Sequence, residues 1–262
     1  MNLRMGTSSA GKIRILRRAI SKGNLGALAE VLKNKTYMNE TCYELRRDLD
    51  TPFRVRRAKI PLMVRELRRE DIPLIFDGRD ANLSHEGFLW REHRLRLIEN
   101  NIQTCYVGVT EVGRPCHVQW VFQPRQNDRR REVFGNEFPE IQNDEIILEY
   151  AFTLEPYRGL NIGPWAGEKI FEIEKTKGIR RAITFVSVAN IQALKMAKVG
   201  GFLPFQIRKE QWRLFHKTFS FEPLPEGPHF PFKEKGERMS ERSLPSNLEG
   251  ENLGDNEAAR LA

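Results

Sequence analysis

The amino-acid sequence predicts a mixed α/β domain, and two observations carry this prediction. The stretch 146–163, IILEYAFTLEPYRGLNIG, begins as an apolar run with β-branched and aromatic residues, which is typical of a buried strand. It then turns through a glycine-containing loop into a helix whose apolar residues recur every three or four positions. Elsewhere between residues 60 and 220, β-rich runs alternate with helical segments.

Local patterns place the remaining elements along the chain. Acidic residues after Arg69 favour a helix start, Asn190 is an N-cap, and glycines at 178 and 200–201 end helices. Two β-rich runs around residues 111–114 form a hairpin, and the last two strands are expected to pair. Predicted strands are 61–67, 104–110, 115–122, 146–154, 181–188, 202–207 and 211–219; predicted helices are 12–20, 25–32, one that begins at 69–73, 88–99, 162–177 and 190–200.

The chain divides into three parts by composition. Residues 1–59 form a basic, partly helical N-terminal extension, residues 60–220 form the α/β domain, and residues 221–262 form a polar tail that we expect to be disordered. Residues 123–144 are polar and show neither the helical nor the strand period. They predict a long loop, which is either a cover for the substrate or a plain insertion.

Charge is concentrated at the N-terminus. Residues 1–69 hold 17 Lys and Arg against 6 Asp and Glu, a surplus of 11, whereas the whole chain carries +8. This segment could dock on an acidic carrier protein or an anionic membrane surface, or it could be a helix pair packed on its own domain with a solvated basic face. Binding of nucleic acid is a less favoured interpretation of this charge, because no base-stacking aromatic pattern accompanies it.

The sequence also indicates a compartment. It has no run of eighteen apolar residues and no secretory signal, so we expect neither a membrane span nor export. Three cysteines without a C-x-x-C motif predict reduced thiols in a cytoplasm, with neither a disulfide framework nor a metal site.

The loop after the strand at 146–154 has the chemistry of a phosphate site. A strand, a tight glycine turn and a helix N-terminus direct free backbone N–H groups and the positive end of the helix dipole at one point. The P-loop and dinucleotide-binding motifs are both absent. Asn161 stands where a glycine would be the simplest choice, and asparagine tolerates a positive φ better than most residues.

This stretch resembles motif A, [RQ]-x-x-G-x-[GA], of the GNAT superfamily of acyl-CoA-dependent N-acyltransferases. Arg158 fits its first position and Gly163 its last. Two further motifs follow in the family's order, namely N-x-x-A at 190–193 and Gly-Phe at 201–202. The resemblance covers about residues 60–220. It implies a mostly antiparallel central sheet that is splayed at its middle strands, with helices on both faces.

The resemblance also implies where an acetyl-CoA or other acyl-CoA donor would bind. The strand that ends near Leu154 should splay from its neighbour after Val188, which opens a gap for the pantetheine arm, and Asn190 would approach the thiol end. The residues that would contact the donor are Phe152, Thr153, Leu154, Arg158, Gly159, Leu160, Asn161, Ile162, Gly163 and Asn190. No metal is implied.

Glu149 is the candidate general base, because many family members carry a glutamate at this place. Its apolar neighbours should desolvate it and raise its pKa, and strand alternation would put it on one face with Ala151 and Thr153. The family's usual general acid, a Tyr four residues before the Gly-Phe pair, is replaced here by Ala197. The sulfur's proton would then come from Tyr150, from a water, or from no group at all.

The acceptor site is less defined. Cys116 and His117 cannot form a nucleophilic dyad, because adjacent residues of a strand point to opposite faces. His117 and Gln119 share a face that could border an acceptor pocket, and Trp212 and Arg213 of the last hairpin are further candidates for substrate binding.

Three functions follow from these observations. The first is transfer of an acetyl or other acyl group from acyl-CoA to an amine of a small molecule or sugar. The second takes the acyl chain from an acyl carrier protein, as in N-acyl amino acid or homoserine lactone synthases. The third is a non-catalytic module that binds CoA, which Ala197 and Asn161 favour. A homodimer remains open.

Overall fold

An eight-stranded sheet forms the centre of the protein in the computed structural model, which describes residues 36–76, 85–99, 104–224, 226 and 230. Its strands are β1 (Tyr37–Asp48), β2 (Leu62–Glu66), β3 (Thr104–Thr110), β4 (Pro115–Phe122), β5 (Glu145–Thr153), β6 (Arg181–Ser187), β7 (Leu203–Arg213) and β8 (His216–Pro223). The strand order is β2-β3-β4-β5-β6-β1-β7-β8. Every neighbouring pair is antiparallel except β5 and β6, which are parallel.

Helices cover both faces of this sheet, and each face has its own hydrophobic core. The helices are α1 (Asp71–Phe76), α2 (His85–Glu99), α3 (Asn127–Phe134), α4 (Ile162–Lys175) and α5 (Ile191–Val199). Side chains of α1, α2 and α3 pack on one face against Val118, Trp120 and Phe185. Side chains of α4 and α5 pack on the other face against Val121 and Leu148. The predicted fold class, a mostly antiparallel sheet with helices on both faces, is confirmed.

The predicted boundary at residue 60 is wrong, because β1 is an interior strand of the sheet. It pairs with β6 on one side and β7 on the other. The strand was hidden because its buried positions include charged residues. Glu44, which is fully buried, lies 2.7 Å from the guanidinium of Arg46 and accepts a hydrogen bond from Gln206. From the sequence alone, a charged residue is expected at the surface, so buried charges with such partners are not recognised as core positions.

The predicted loop at 123–144 is also wrong, since it contains helix α3. Phe134, Phe138 and Ile141 enter the core on the α2 face. Arg130 is almost fully buried and donates to the backbone carbonyl of Phe138 at 2.9 Å. Burial lowers the pKa of this arginine. Because most of the sequence NDRRREVF is polar, its helical period was masked. The segment is therefore a packed element and not an open cover.

The final hairpin turns later than the sequence suggested. The turn lies at Leu214–Phe215, which have φ of 45° and 68°. The residues Arg208, Lys209 and Glu210, expected between the strands, lie within β7. Arg208 and Glu210 are almost fully buried, so these polar residues, which the sequence suggested as a turn, are again core positions.

Several predictions fall outside the described residues, including the helices at 12–20 and 25–32 and almost all of the tail. Phe230 is an exception within the tail, because it is buried in the core on the α4 face. All three cysteines are buried and unpaired. Among the helices that the structure describes, none is long and apolar enough to cross a membrane.

Candidate active site

The sheet opens between β5 and β6. The two strands pair only from Glu145 to Leu148 and from Arg181 to Thr184, although β5 continues to Thr153 and β6 to Ser187. The predicted splay is present, but it begins at Thr184 and not after Val188. Beyond that point the facing edges have no ladder between them, and a strand edge presents backbone N–H and C=O groups that can pair with an extended ligand.

A β-bulge lies at the start of the gap. Trp120 is paired with Glu149 and Val118 with Phe152, so two residues of β5 stand opposite one of β4. Tyr150 has φ of 58°, which few residues other than glycine adopt. The bulge changes which side chains share a face, since Glu149 and Phe152, three residues apart, pair with Trp120 and Val118, which both lie in the α2-face core. The expectation that Glu149 shares a face with Ala151 and Thr153 is therefore wrong.

Two side chains that reach the bulge from outside β5 hold its carbonyl groups. The amide of Gln119 donates to the Glu149 carbonyl at 2.8 Å. The guanidinium of Arg94, on α2, donates to the Tyr150 carbonyl at 3.2 Å. Arg94 is buried, and desolvation lowers its pKa well below the usual range. Sequence reasoning missed Arg94, because a basic residue within a predicted helix is usually interpreted as part of a solvated face.

Glu149 lies at the point where the strands part. Its side chain is 6% exposed, and its Oε1 accepts a hydrogen bond from the backbone N–H of Phe185 at 3.1 Å. The Tyr150 ring packs edge-to-face against His93, with ring centroids 4.9 Å apart, and against Trp120 at 6.5 Å. Glu149 is thus the carboxylate at the start of the gap, whereas the Tyr150 ring packs in the core on the α2 face.

The expected phosphate cradle follows β5. Residues Glu155–Tyr157 form a single 3-10 turn, and α4 then begins at Ile162. Gly159 has φ of 75° and Asn161 has φ of 57° and ψ of 29°. The asparagine therefore adopts the left-handed conformation expected of it. This backbone is compatible with N–H groups converging at the N-terminus of α4.

Only part of the predicted pantetheine-binding segment faces the gap. The N–H of Leu154 donates to the Cys116 carbonyl at 3.0 Å, so it belongs to the ladder with β4. Backbone groups alternate in direction along a strand, so those of Thr153 point towards the gap. The Arg158 Nε lies 3.4 Å from the Thr153 carbonyl. Thr153 is therefore the residue of 152–154 best placed to pair with an extended arm.

His117 lies between Thr153 of β5 and Gly163 of α4. Its Nδ1 is 2.9 Å from the Thr153 hydroxyl, and its Cε1 lies 3.7 Å from the position of a Cβ on Gly163. Burial lowers the pKa of His117 to about 4, so the ring is neutral at physiological pH. Cys116 donates to the Gly108 carbonyl at 3.2 Å, and burial raises its pKa to about 11. The two side chains have separate partners, as expected.

Of the other predicted substrate residues, Gln119 lies at the start of the gap, whereas Trp212 and Arg213 lie away from it. Gln119 is buried and serves the bulge. Trp212 is buried on β7, where its Nε1 donates to Glu210 at 2.9 Å, and two strands separate it from β5. At about 4.8 Å per strand, β7 is roughly 14 Å from β5. Arg213 donates to Asn39 on β1 at 2.8 Å.

The second and third motifs have structural roles. The Asn190 side chain accepts a hydrogen bond from the N–H of Ala193 at 3.0 Å and so caps α5. Ala197 packs against the α4-face core, and its carbonyl accepts from the N–H of Phe202 at 3.0 Å. Gly201, at φ of 80°, leaves room for the Phe53 ring. Within the described residues, no cluster of His, Cys, Asp or Glu could hold a metal ion.

Comparisons with known proteins give matches only among solved structures, because no protein-family model and no curated protein matches the chain. A glucosamine N-acetyltransferase region of a fungal multi-domain β-N-acetylglucosaminidase is 12% identical and covers 70% of this chain and 22% of its own, with a TM-score of 0.48. A GNAT-family acetyltransferase from Colwellia psychrerythraea is 14% identical, covering 76% and 62%, with a TM-score of 0.43.

A third match is a GCN5-related N-acetyltransferase from Sphaerobacter thermophilus, 11% identical, covering 71% of this chain and 56% of its own, with a TM-score of 0.40. The chain thus spans less than two thirds of the length of each of these structures. The resemblance to GNAT domains rests on three motifs in the family's order and on a sheet that splays before the first of them.

Proposed function

We propose that this protein transfers an acyl group, in the simplest case acetyl, from an acyl-CoA to an amine of a small molecule or sugar. One observation carries the proposal: the gap between β5 and β6 leads directly into the glycine-containing loop at the N-terminus of α4. A groove between two strand edges that have no ladder between them, and that ends in an anion site, suits a long amide-containing chain with a pyrophosphate at one end.

The donor would be held largely by backbone. Thr153 presents its N–H and C=O to the gap, where they can pair with the amides of the pantetheine arm. The N–H groups of residues 159–163 would bind the pyrophosphate, and the exposed Arg158 would add a charge. CoA supplies the activated thioester. An extended acyl chain on a carrier protein would use the same gap but would not need the cradle.

Glu149 is the residue that we assign as general base. It is the carboxylate on β5 where the ladder ends, and the N–H of Phe185 fixes its position. The attacking amine must lose a proton, and a positioned carboxylate can take it directly or through one water. His117 suits this role less, because a pKa of about 4 makes it a weak base at neutral pH. Tyr150, on the other side of the bulge, would give a proton to the departing sulfur.

The test replaces Glu149 with Gln, which keeps the shape but removes the ability to take a proton. Acyl transfer should fall by about two to four powers of ten. Acetyl-CoA binding, measured by calorimetry, should barely change because backbone groups hold the donor. The acid limb of the pH–rate profile should disappear, since it reports ionisation of the base.

Glu145→Gln is the matched control, because Glu145 is also a buried carboxylate of β5 but pairs with Arg181 at 3.4 Å, before the gap. Its activity should remain within a few-fold of wild type. Equal losses in both variants, or a Glu149→Gln enzyme that keeps its acid limb, would remove Glu149 from the mechanism. A wild-type protein that binds no CoA thioester would overturn the proposed function.

A further inference from the structure

The gap between β5 and β6 is bordered on one face of the sheet by two helices. Strand β5 leads through the glycine-containing loop into α4, and β6 leads through the N-cap residue Asn190 into α5. Both helices pack on the same face, and the strands that precede them have already separated. A contact between α4 and α5 therefore joins the two sides of the gap.

Met196 of α5 makes such a contact with Gly163, in the first turn of α4. A Cβ placed on Gly163 would lie 2.8 Å from the Met196 Cε, whereas carbon atoms that are not bonded pack at about 3.5–4.0 Å. The same point is 3.7 Å from the His117 Cε1 and 3.9 Å from the Thr153 Oγ1. The end of the Met196 side chain thus lies beside the end of β5, where we expect Thr153 to pair with an extended donor.

The helix that carries Met196 is anchored, whereas the side chain is not. Asn190 caps the first turn of α5, Leu194 is fully buried, and Ala197 packs against the core on the α4 face. The Met196 side chain is 43% exposed. Because methionine is unbranched and has three rotatable bonds, this side chain can turn towards water without a shift of the helix.

We propose that Met196 is the gate of the donor groove. Its side chain lies across the route from the loop of residues 158–163 to Glu149, so an extended chain enters only after the side chain has rotated outwards. The inference rests on the proposed function, because a gate has a role only if a chain as long as the pantetheine arm enters the gap. It gives Met196 control over donor entry and no part in the chemistry.

The size of the effect follows from the contact that must be broken. Burial of one methyl group corresponds to about fourfold in an equilibrium constant. When only the open form binds, the apparent affinity is reduced by the population of that form. Removal of the side chain should therefore speed donor association by about two- to fivefold. The dissociation rate should not change, because the gate is already open when the donor is bound.

The experiment measures association and dissociation of acetyl-CoA by stopped-flow kinetics on the full chain. Met196→Ala should associate about two- to fivefold faster than wild type, and Met196→Phe, which is larger and stiffer, should associate more slowly. ADP carries a diphosphate but no pantetheine arm, so its affinity should be the same for wild type and both variants. Val199→Ala is the matched control, because it truncates an apolar side chain of the same helix that is 47% exposed, and it should change neither rate.

The outcomes separate the two proposals. Equal association rates in wild type and both Met196 variants overturn the gate and leave the acyltransferase proposal standing. Slower association in Met196→Ala also overturns it, since the side chain would then be a contact for the donor. An ADP affinity that changes with residue 196 overturns it as well, because the residue would then act on the loop. Wild-type protein that binds no acyl-CoA rejects both proposals. Unchanged thermal unfolding establishes that each variant is folded.

Discussion

Gln119 offers a quantitative test of how the bulge in β5 is maintained. Its side chain is 7% exposed, and its amide donates to the carbonyls of Glu149 at 2.8 Å and Trp120 at 3.2 Å. Gln119→Leu keeps most of the volume but leaves a buried carbonyl without its donor, which costs about 1–3 kcal/mol. Tyr150 already holds a left-handed conformation that costs roughly 1–2 kcal/mol. The bulge should therefore relax once its donor is lost.

The expected loss is about 2 kcal/mol in the free energy of unfolding, measured by urea denaturation, with a fall of roughly 4–8 °C in Tm for a domain of this size. If the bulge positions Glu149, kcat should fall while the KM for acyl-CoA stays nearly constant, because the cradle lies further along the chain. Gln211→Leu, at an exposed position of β7, is the control and should change stability by less than about 0.5 kcal/mol. Equal stability and equal kcat in the two variants would refute the reasoning.

Two further predictions concern the pH dependence of stability and the N-terminal strand. Burial lowers the pKa of His117 from 6.5 to about 4, so the folded protein resists protonation of this ring, and the free energy of unfolding that is present above pH 6.5 should decrease by up to roughly 3 kcal/mol as the pH falls through 4. Urea unfolding at each pH should show a weaker pH dependence of this free energy for His117→Gln, and an unchanged dependence would contradict the assignment. A variant that begins at Thr36 should give a cooperative thermal transition, whereas one that begins at Leu49 should not, because it lacks the interior strand β1. A cooperative transition in the shorter variant would contradict this and show that β7 can pair directly with β6.

The sequence predicted the elements whose buried residues are apolar and failed where the buried residues are charged. The strands β3 and β4 were predicted with their observed bounds, because Thr104–Thr110 and Pro115–Phe122 have few charges and are bounded by a clear turn. The strand β1 and the helix α3 were missed, since Glu44 and Arg130 are buried but read as surface residues. Their partners, Gln206 and the Phe138 carbonyl, are remote in sequence or are backbone atoms, so no local pattern contains them.

The candidate site was predictable where its residues are contiguous in the sequence, and it was not where residues from different elements meet. Residues 158–163 form a contiguous motif, and their left-handed backbone could be expected from Gly159 and Asn161. The bulge at Tyr150 could not, because strand alternation assumes a regular ladder and the side chains that hold the bulge come from β4 and α2. A pocket formed by residues 54–57 and Trp165 was equally hidden, since it joins the connection between β1 and β2 to a helix that begins at Ile162.

The interior position of β1 explains how the gap between β5 and β6 stays open. All seven residues of β6 pair with β1, from Cys42 opposite Ser187 to Asp48 opposite Arg181. On the other side of the gap, β5 remains paired with β4 up to Thr153. Each strand that borders the gap is therefore held along its outer edge by a different neighbour, and the two halves of the sheet diverge as units. Strand β1 thus supports one side of the gap through β6, so changes that weaken the pairing of β1 with β6 should reduce binding of the proposed acyl-CoA donor before they unfold the domain.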